Sequence, residues 1–524
     1  MAGSRVSLRT VKRAAVAAVV LAVLAVALPL GYGWWEERRS RCADGVVRMG
    51  PAGECVGVTD GSHVFAGHLK NVTDKIKEQN DLVVGSGDPY VSVAYMTSFT
   101  LEETDSNPEE SVRHELQGAH VAQRQYNRNG SPKVRLLIAN TGSNSRHWEH
   151  TVDELVRLAG DGGTEPGRLV AVAGLGPSTD RNLAAVKRLS KRGLATVAST
   201  MTATSIGGME GFVRVTPTND DEAVAAARYL KCAESGGYGG GRGEPSEGTW
   251  CSERGKAQKG GEEESLDALV VQDTAKGNLY ARTLGKAFSR EFPEDDEGYG
   301  LVARPQEFDS SVPGSWRNEL HLMMDQLCLH RSDVVYFAGR GQHLGHFLRA
   351  ASRRTCLDEW DFTLVTGDDT SNLTRKQAKE AADRGIDVYY TALAHPLMWE
   401  HRPDTVPGEL RKAFLSGLRG WFPPESHEDG QAMMAHDAVL VAVEGVRLAS
   451  FGGGGMTGRD VGRMFRRMHG TKKVRGATGP LSFDSDGNRE SKAIPVLKLG
   501  ADGSLDYIET IVVEVMPEEG PAGR

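Results

Sequence analysis

Residues 169–205, LVAVAGLGPSTDRNLAAVKRLSKRGLATVASTMTATS, constrain the fold more than any other stretch. The opening run, LVAVA, is apolar, Val-bearing and too short for a helix, which marks a buried strand. Gly174 and Gly176 break it, and Pro177 stands where a helix can begin. Leu183, Val186 and Leu189 then return at helical spacing, and a second Val-bearing run follows at 195–198. Strand, helix and strand in this order form a βαβ unit with a right-handed crossover. Its polar residues gather where such sheets bind ligands, beyond the carboxyl ends of the strands. Ser178 follows the first strand; Ser199, Thr200 and Thr202 follow the second. Hydroxyls beside the free N–H groups of a helix start suit a carboxylate or similar anion.

The same alternation extends in both directions. Upstream, strands are expected at 90–96 and 134–139, with helices at 111–126 and 148–158. Downstream, a second set begins, with strands at 268–271, 333–337, 362–365 and 386–391 and helices between them. A long helix at 432–449 and two closing strands follow. A chain of 524 residues exceeds one compact core, so two α/β units with parallel sheets are expected. In the second set, Asp273, Arg340 and Asp369 lie at strand C-termini. If the two sets face each other, hydroxyls and carboxylates share one cleft. That combination suits a zwitterion: hydroxyls and amides for its carboxylate, an acid for its ammonium.

Residues 14–30 are almost wholly Ala, Val and Leu, and with 31–35 they are long enough to span a bilayer. Arg5, Arg9, Lys12 and Arg13 precede them and Trp34–Trp35 follow, so the N-terminus is expected in the cytoplasm and the bulk outside. The chain is therefore expected at the cell membrane as a single-pass protein. The alternative is a cleaved signal peptide and secretion, since Ala25-Val26-Ala27 resembles a cleavage site. Six cysteines in an exported chain imply disulfides, and pairing sequence neighbours gives Cys42–Cys55, Cys232–Cys251 and Cys328–Cys356. A metal role for the cysteines is disfavoured by the lack of any CxxC. The net charge of −8, from 62 basic and 70 acidic residues, argues against nucleic-acid binding. Residues 233–265 are Gly- and charge-rich and are expected to be a surface insertion with no phosphate-loop motif. No cofactor fingerprint is complete: Thr179 stands where the dinucleotide motif needs its third Gly. No HExxH, GxSxG or kinase set occurs, so an enzyme is not expected.

Several ordered pieces together resemble the type 1 periplasmic binding fold, specifically the branched-chain amino-acid-binding proteins and related receptor ligand-binding domains. They are AVAGLGPSTD, VASTMTATS, RVTPTNDDEA, VVQDTAKGNLYARTLGKAF, HDAVLVAVEGV and GATGPLSFDSDGN, and the resemblance covers about residues 85–515. It implies two hinged lobes, the first holding 60–218 and 380–478, the second 219–379 and 479–515. Residues 1–13, 36–59 and 516–524 would be a cytoplasmic N-terminus, a disulfide-bearing lead-in and a tail. Ser178 and Thr202, or Thr200, match positions that hold an α-carboxylate; Tyr280 matches a ligand-facing aromatic, and Asp369 an acid that takes the ammonium. The implied task is capture of a small polar solute, an amino acid or a relative, for an ABC-type permease. A membrane-tethered sensor acting through a partner is the alternative, and an enzyme on the same fold a third reading.

Overall fold

The computed structural model describes residues 41–160, 166–231, 266–293, 299–372, 375–401, 408–452, 455–500 and 502–513. The expected membrane segment at 14–35, the Cys232–Cys251 pair, the insertion at 233–265 and the tail at 516–524 lie outside the described residues. Among the described residues no helix is long and apolar enough to cross a membrane.

Two mixed sheets form the framework. The first contains β1 (Arg41–Ala43), β2 (Val46–Met49), β3 (Glu54–Thr59), β4 (Tyr90–Thr97), β5 (Lys133–Asn140), β6 (Leu169–Gly174), β7 (Ala195–Ala198) and β8 (Phe212–Arg214), in the order β1-β2-β3-β5-β4-β6-β7-β8. The second contains β9 (Leu266–Asp273), β10 (Tyr299–Leu301), β11 (Gln306–Phe308), β12 (Val334–Ala338), β13 (Phe362–Thr366) and β14 (Ile386–Thr391). A small hairpin, β15 (Val474–Gly476) and β16 (Gly479–Leu481), stands apart, and β17 (Ala493–Leu499) and β18 (Leu505–Val512) complete the second sheet. Its order is β10-β9-β12-β13-β14-β17-β18, with β11 also paired to β9.

Side-chain alternation gives each sheet two apolar faces. In β12, Val334, Tyr336 and Ala338 join one core while Val335 and Phe337 join the other. Helices Asn219–Leu230 and Leu279–Glu291 cover the first face, and Ser315–His330 and Gly341–Ala351 the second. In β4, Val91, Val93 and Tyr95 face helices Glu109–Asn129 and Gln431–Ala449, while Ala94 and Met96 face Trp148–Ala159 and Asp180–Lys191. Two helices on the core side approach closely: a Cβ on Gly118 would lie 1.9 Å from the Ala432 carbonyl oxygen.

Three expectations need correction. Residues 41–59 are not a separate lead-in: β3 pairs antiparallel with β5, so β1–β3 extend the first sheet. The Cys42–Cys55 disulfide ties β1 to β3, and Cys328–Cys356 ties helix Ser315–His330 to the turn before β13. The boundary at 380 does not hold, because β14 is hydrogen-bonded between β13 and β17 and belongs to the second sheet. Neither sheet is wholly parallel, since β1–β3 and β17–β18 run antiparallel to their neighbours.

The strand orders position the site. In the first sheet the chain leaves β4 for β5 on one side and returns for β6 on the other. In the second it leaves β9 for β10 and returns for β12 on the other side. Each reversal opens a crevice at the strand carboxyl ends, where open α/β sheets bind ligands.

Candidate functional site

The two crevices meet. A cleft of about 400 Å³ lies between the loops after β4, β5 and β6 and those after β9, β11 and β12. The first lobe contributes Ser98, Asn144, Ser145 and Arg181; the second contributes Asn278, Ser310, Gln342 and His343. Two helices begin at its wall. Thr179 caps helix Asp180–Lys191 by accepting from Asn182 N at 3.2 Å, and helix Gly341–Ala351 starts beside Arg340. Their N-terminal N–H groups and dipoles favour a negative ligand group.

The inner end of the cleft is latched. Arg340, from the second lobe, donates to the Ser178 carbonyl of the first at 2.7 Å. Its guanidinium carbon sits 4.9 Å from the Tyr280 ring centroid, and its other arm is 3.9 Å from Asp369 Oδ1. Tyr280 N also donates to the Ser178 carbonyl, at 3.3 Å, and Asp180 N donates to Gly277 O at 3.2 Å. Thr179 and Asn278 form a β-bridge across the gap. The lobes are therefore closed on each other.

Ser178, Tyr280, Arg340 and Asp369, picked out from sequence, thus come together at one point. The hydroxyls are less available than expected. Ser178 Oγ accepts from Ala203 N at 3.0 Å, and Thr200 Oγ1 donates to Gly176 O at 3.2 Å. The Thr202 hydroxyl is buried without a hydrogen-bond partner. Asp273, expected among the ligand groups, is instead a fully buried loop clamp. Its Oδ1 accepts from Ala275 N and Ser310 N, and its Oδ2 from Asn278 Nδ2 at 2.7 Å and Ser310 Oγ at 2.6 Å. With every lone-pair direction in use, it positions Asn278 and Ser310 at the cleft wall and does not face solute.

Behind the latch lie two neighbouring acids: Glu222, which is fully buried, and Asp368, the residue that the sequence leaves as the alternative to Asp369. Glu222 Oε2 accepts from Asp368 N at 3.2 Å and from Thr391 Oγ1 at 2.9 Å. Burial, then the neighbouring Asp369, pushes Asp368 up to about 7. Burial and Asp368 hold Glu222 well above the usual carboxylate range. Burial also raises Asp369, opposed by Arg340 and by the Gly341 N–H, which reaches its Oδ2 at 2.9 Å. Two acids this close cannot both ionise, so the pair keeps a proton near neutrality.

The remaining wall residues were missed. Asn144 and Ser145 adopt left-handed backbone angles, φ 51° and 53°, in a loop pinned by Asp105, which accepts from Ser143 Oγ and Asn144 N at 2.6 Å each. Such loops carry no periodic signal, and their convergence with Ser310 and Gln342 exists only in three dimensions.

No protein-family model and no curated protein matches the sequence. The fold has solved counterparts. An ABC transporter substrate-binding protein from Desulfitobacterium hafniense in complex with Leu superposes with a TM-score of 0.54 at 15% identity, covering 80% of this chain and 99% of that one. A solute-binding protein of an R. palustris ABC transporter in complex with 4-hydroxybenzoate gives 0.56 at 16%, covering 83% and 99%. A substrate-binding protein of an Aeropyrum pernix ABC transporter gives 0.55 at 12%, covering 82% and 97%. The chain has the two-lobed α/β fold of these substrate-binding proteins, as the ordered sequence pieces implied.

Proposed function

We propose that this chain is an extracellular solute-binding protein that captures a small carboxylate-bearing solute between its lobes and hands it to an ABC-type permease. The observation that carries this reading is Arg340, a buried cation at the head of a cleft into which two helix N-termini also open. A guanidinium has five donors, so a carboxylate entering there gains a charge-assisted pair with Arg340 while the bond to the Ser178 carbonyl stays in place. Asp180 lines the same cleft and would take an ammonium, so an amino acid fits. An aromatic acid fits the same cation, and solved proteins of this fold hold leucine or 4-hydroxybenzoate. Binding acts by favouring the closed arrangement, and no bond is made or broken.

The apolar segment at 14–35 is assigned as the tether that keeps the lobes at the outer membrane face. That tether also supports a second reading, a sensor whose closure is passed to a membrane partner. A thermal-shift screen of amino acids, benzoates, sugars and nucleosides tests the proposal. A ligand at 100 times its Kd adds about 2.7 kcal/mol to stability. Stabilisation confined to carboxylates is expected. A flat response to carboxylates, or an equal response to neutral sugars, would overturn it.

A further inference from the structure

Away from the cleft, helix Glu109–Asn129 and the turn before helix Gln431–Ala449 enclose a second cluster of titratable groups. His114, Glu425 and His427 each offer one ligand atom, all within 4.8 Å of one another. His114 is buried, and its Nδ1 lies 2.8 Å from Asp429 Oδ2. A carboxylate only accepts, so in the neutral ring the proton sits on Nδ1 and the lone pair on Nε2. That Nε2 has no hydrogen-bond partner. The nearest acid oxygens are Glu425 Oε2 at 3.6 Å and Glu110 Oε1 at 4.0 Å. A buried imidazole nitrogen with a carboxylate behind its other nitrogen is the arrangement that metal-ligating histidines use.

The other two ligands are held as well. Gln117 donates through Nε2 to Glu425 Oε1, and its Oε1 meets His427 Nε2 at 2.8 Å. Arg113 donates to Glu425 Oε2 at 2.7 Å. Against this one guanidinium stand the carboxylates of Glu110, Glu425 and Asp429, an excess of negative charge that suits a dication. Two imidazoles and a carboxylate select a transition ion over calcium or magnesium.

We infer that His114, Glu425 and His427 form a binding site for a divalent transition ion of the zinc class, with Asp429 and Gln117 as positioning residues. Three protein ligands leave a fourth position to solvent. The ligands come from a helix and from a turn far along the chain, so the ion would staple residues 423–430 onto helix Glu109–Asn129.

The test uses purified full-length protein stripped with chelator. Zn²⁺ is titrated by calorimetry and Co²⁺ by visible absorption. One ion per chain is expected, with cobalt bands of four-coordinate nitrogen and oxygen ligation. His114 is too buried for its loss to be read cleanly, so the partly exposed His427 and Glu425 carry the test. His427→Ala and Glu425→Gln should each abolish the cobalt bands with the circular dichroism spectrum unchanged. Asp429→Asn should weaken Zn²⁺ by roughly 10- to 100-fold. No saturable binding by the wild type, or equal binding by folded His427→Ala and Glu425→Gln proteins, would overturn the assignment.

Discussion

Removing Arg340 should open the molecule. The Arg340 side chain is 7% exposed, so its contacts are little weakened by water or salt. The 2.7 Å bond to the Ser178 carbonyl joins the two lobes and exists only when they are closed. A charge-assisted hydrogen bond of this kind contributes about 1.5–3 kcal/mol. Since about 1.4 kcal/mol is a factor of ten, Arg340→Ala should shift the closed-to-open ratio of the unliganded protein by roughly 10- to 150-fold. Asp369 loses its counter-charge in the same step and its carboxyl moves further up, so it protonates and does not remain as a bare buried anion. Fluorescence energy transfer between dyes on helices Trp148–Ala159 and Ser315–His330 reads the ratio directly. Arg340→Lys should fall between wild type and alanine, because an ammonium keeps the charge and loses the fork. An unchanged distance distribution in Arg340→Ala would refute the latch.

Three further outcomes follow from buried contacts. Glu222 and Asp368 bind protons more tightly folded than unfolded, so their contribution to stability is full below the usual carboxylate range and is lost as pH rises, for Asp368 through about 7 and for Glu222 as its raised carboxyl ionises. Glu222→Gln keeps an acceptor for Asp368 N and Thr391, and should flatten the fall in urea midpoint between pH 5 and 8 and raise the midpoint at pH 8. An unaltered slope would show that the pair does not titrate there. Asp437 is fully buried and accepts from Ala477 N, Thr478 N and Thr478 Oγ1 at 2.6–2.8 Å, so Asp437→Ala should cost about 3–5 kcal/mol by denaturant unfolding. Gly118→Ala places a methyl 1.9 Å from the Ala432 carbonyl and should cost about 1–3 kcal/mol; a cost near zero would mean that the helices separate freely.

Much of this architecture is legible in the residues because its signals are local. Val-rich runs of strand length, Gly breaks and helical spacing mark β6, β7 and the helix between them, and the same pattern recurs around β12 and β13. The convergence of Ser178, Tyr280, Arg340 and Asp369 follows from the rule that strand carboxyl ends share one edge. What was not legible depends on partners far apart in sequence. The edge strands β1–β3 are short, and only pairing with β5 makes them part of the sheet. β14 carries an ordinary strand pattern, and nothing within it tells which sheet receives it. Asp273 looks like any acid at a strand end until Asn278 and Ser310 are seen to exhaust its oxygens. The hydroxyls of Ser178 and Thr200 are spent on backbone that the turn geometry alone brings near.

Hydrogen–deuterium exchange, with and without the carboxylate that most raises thermal stability, examines the shared cleft most directly. Protection should appear together in 97–107, 144–145 and 177–182 of the first lobe and in 275–278, 310–311 and 340–343 of the second. Protection confined to one lobe, or lying elsewhere on the surface, would contradict capture between the two.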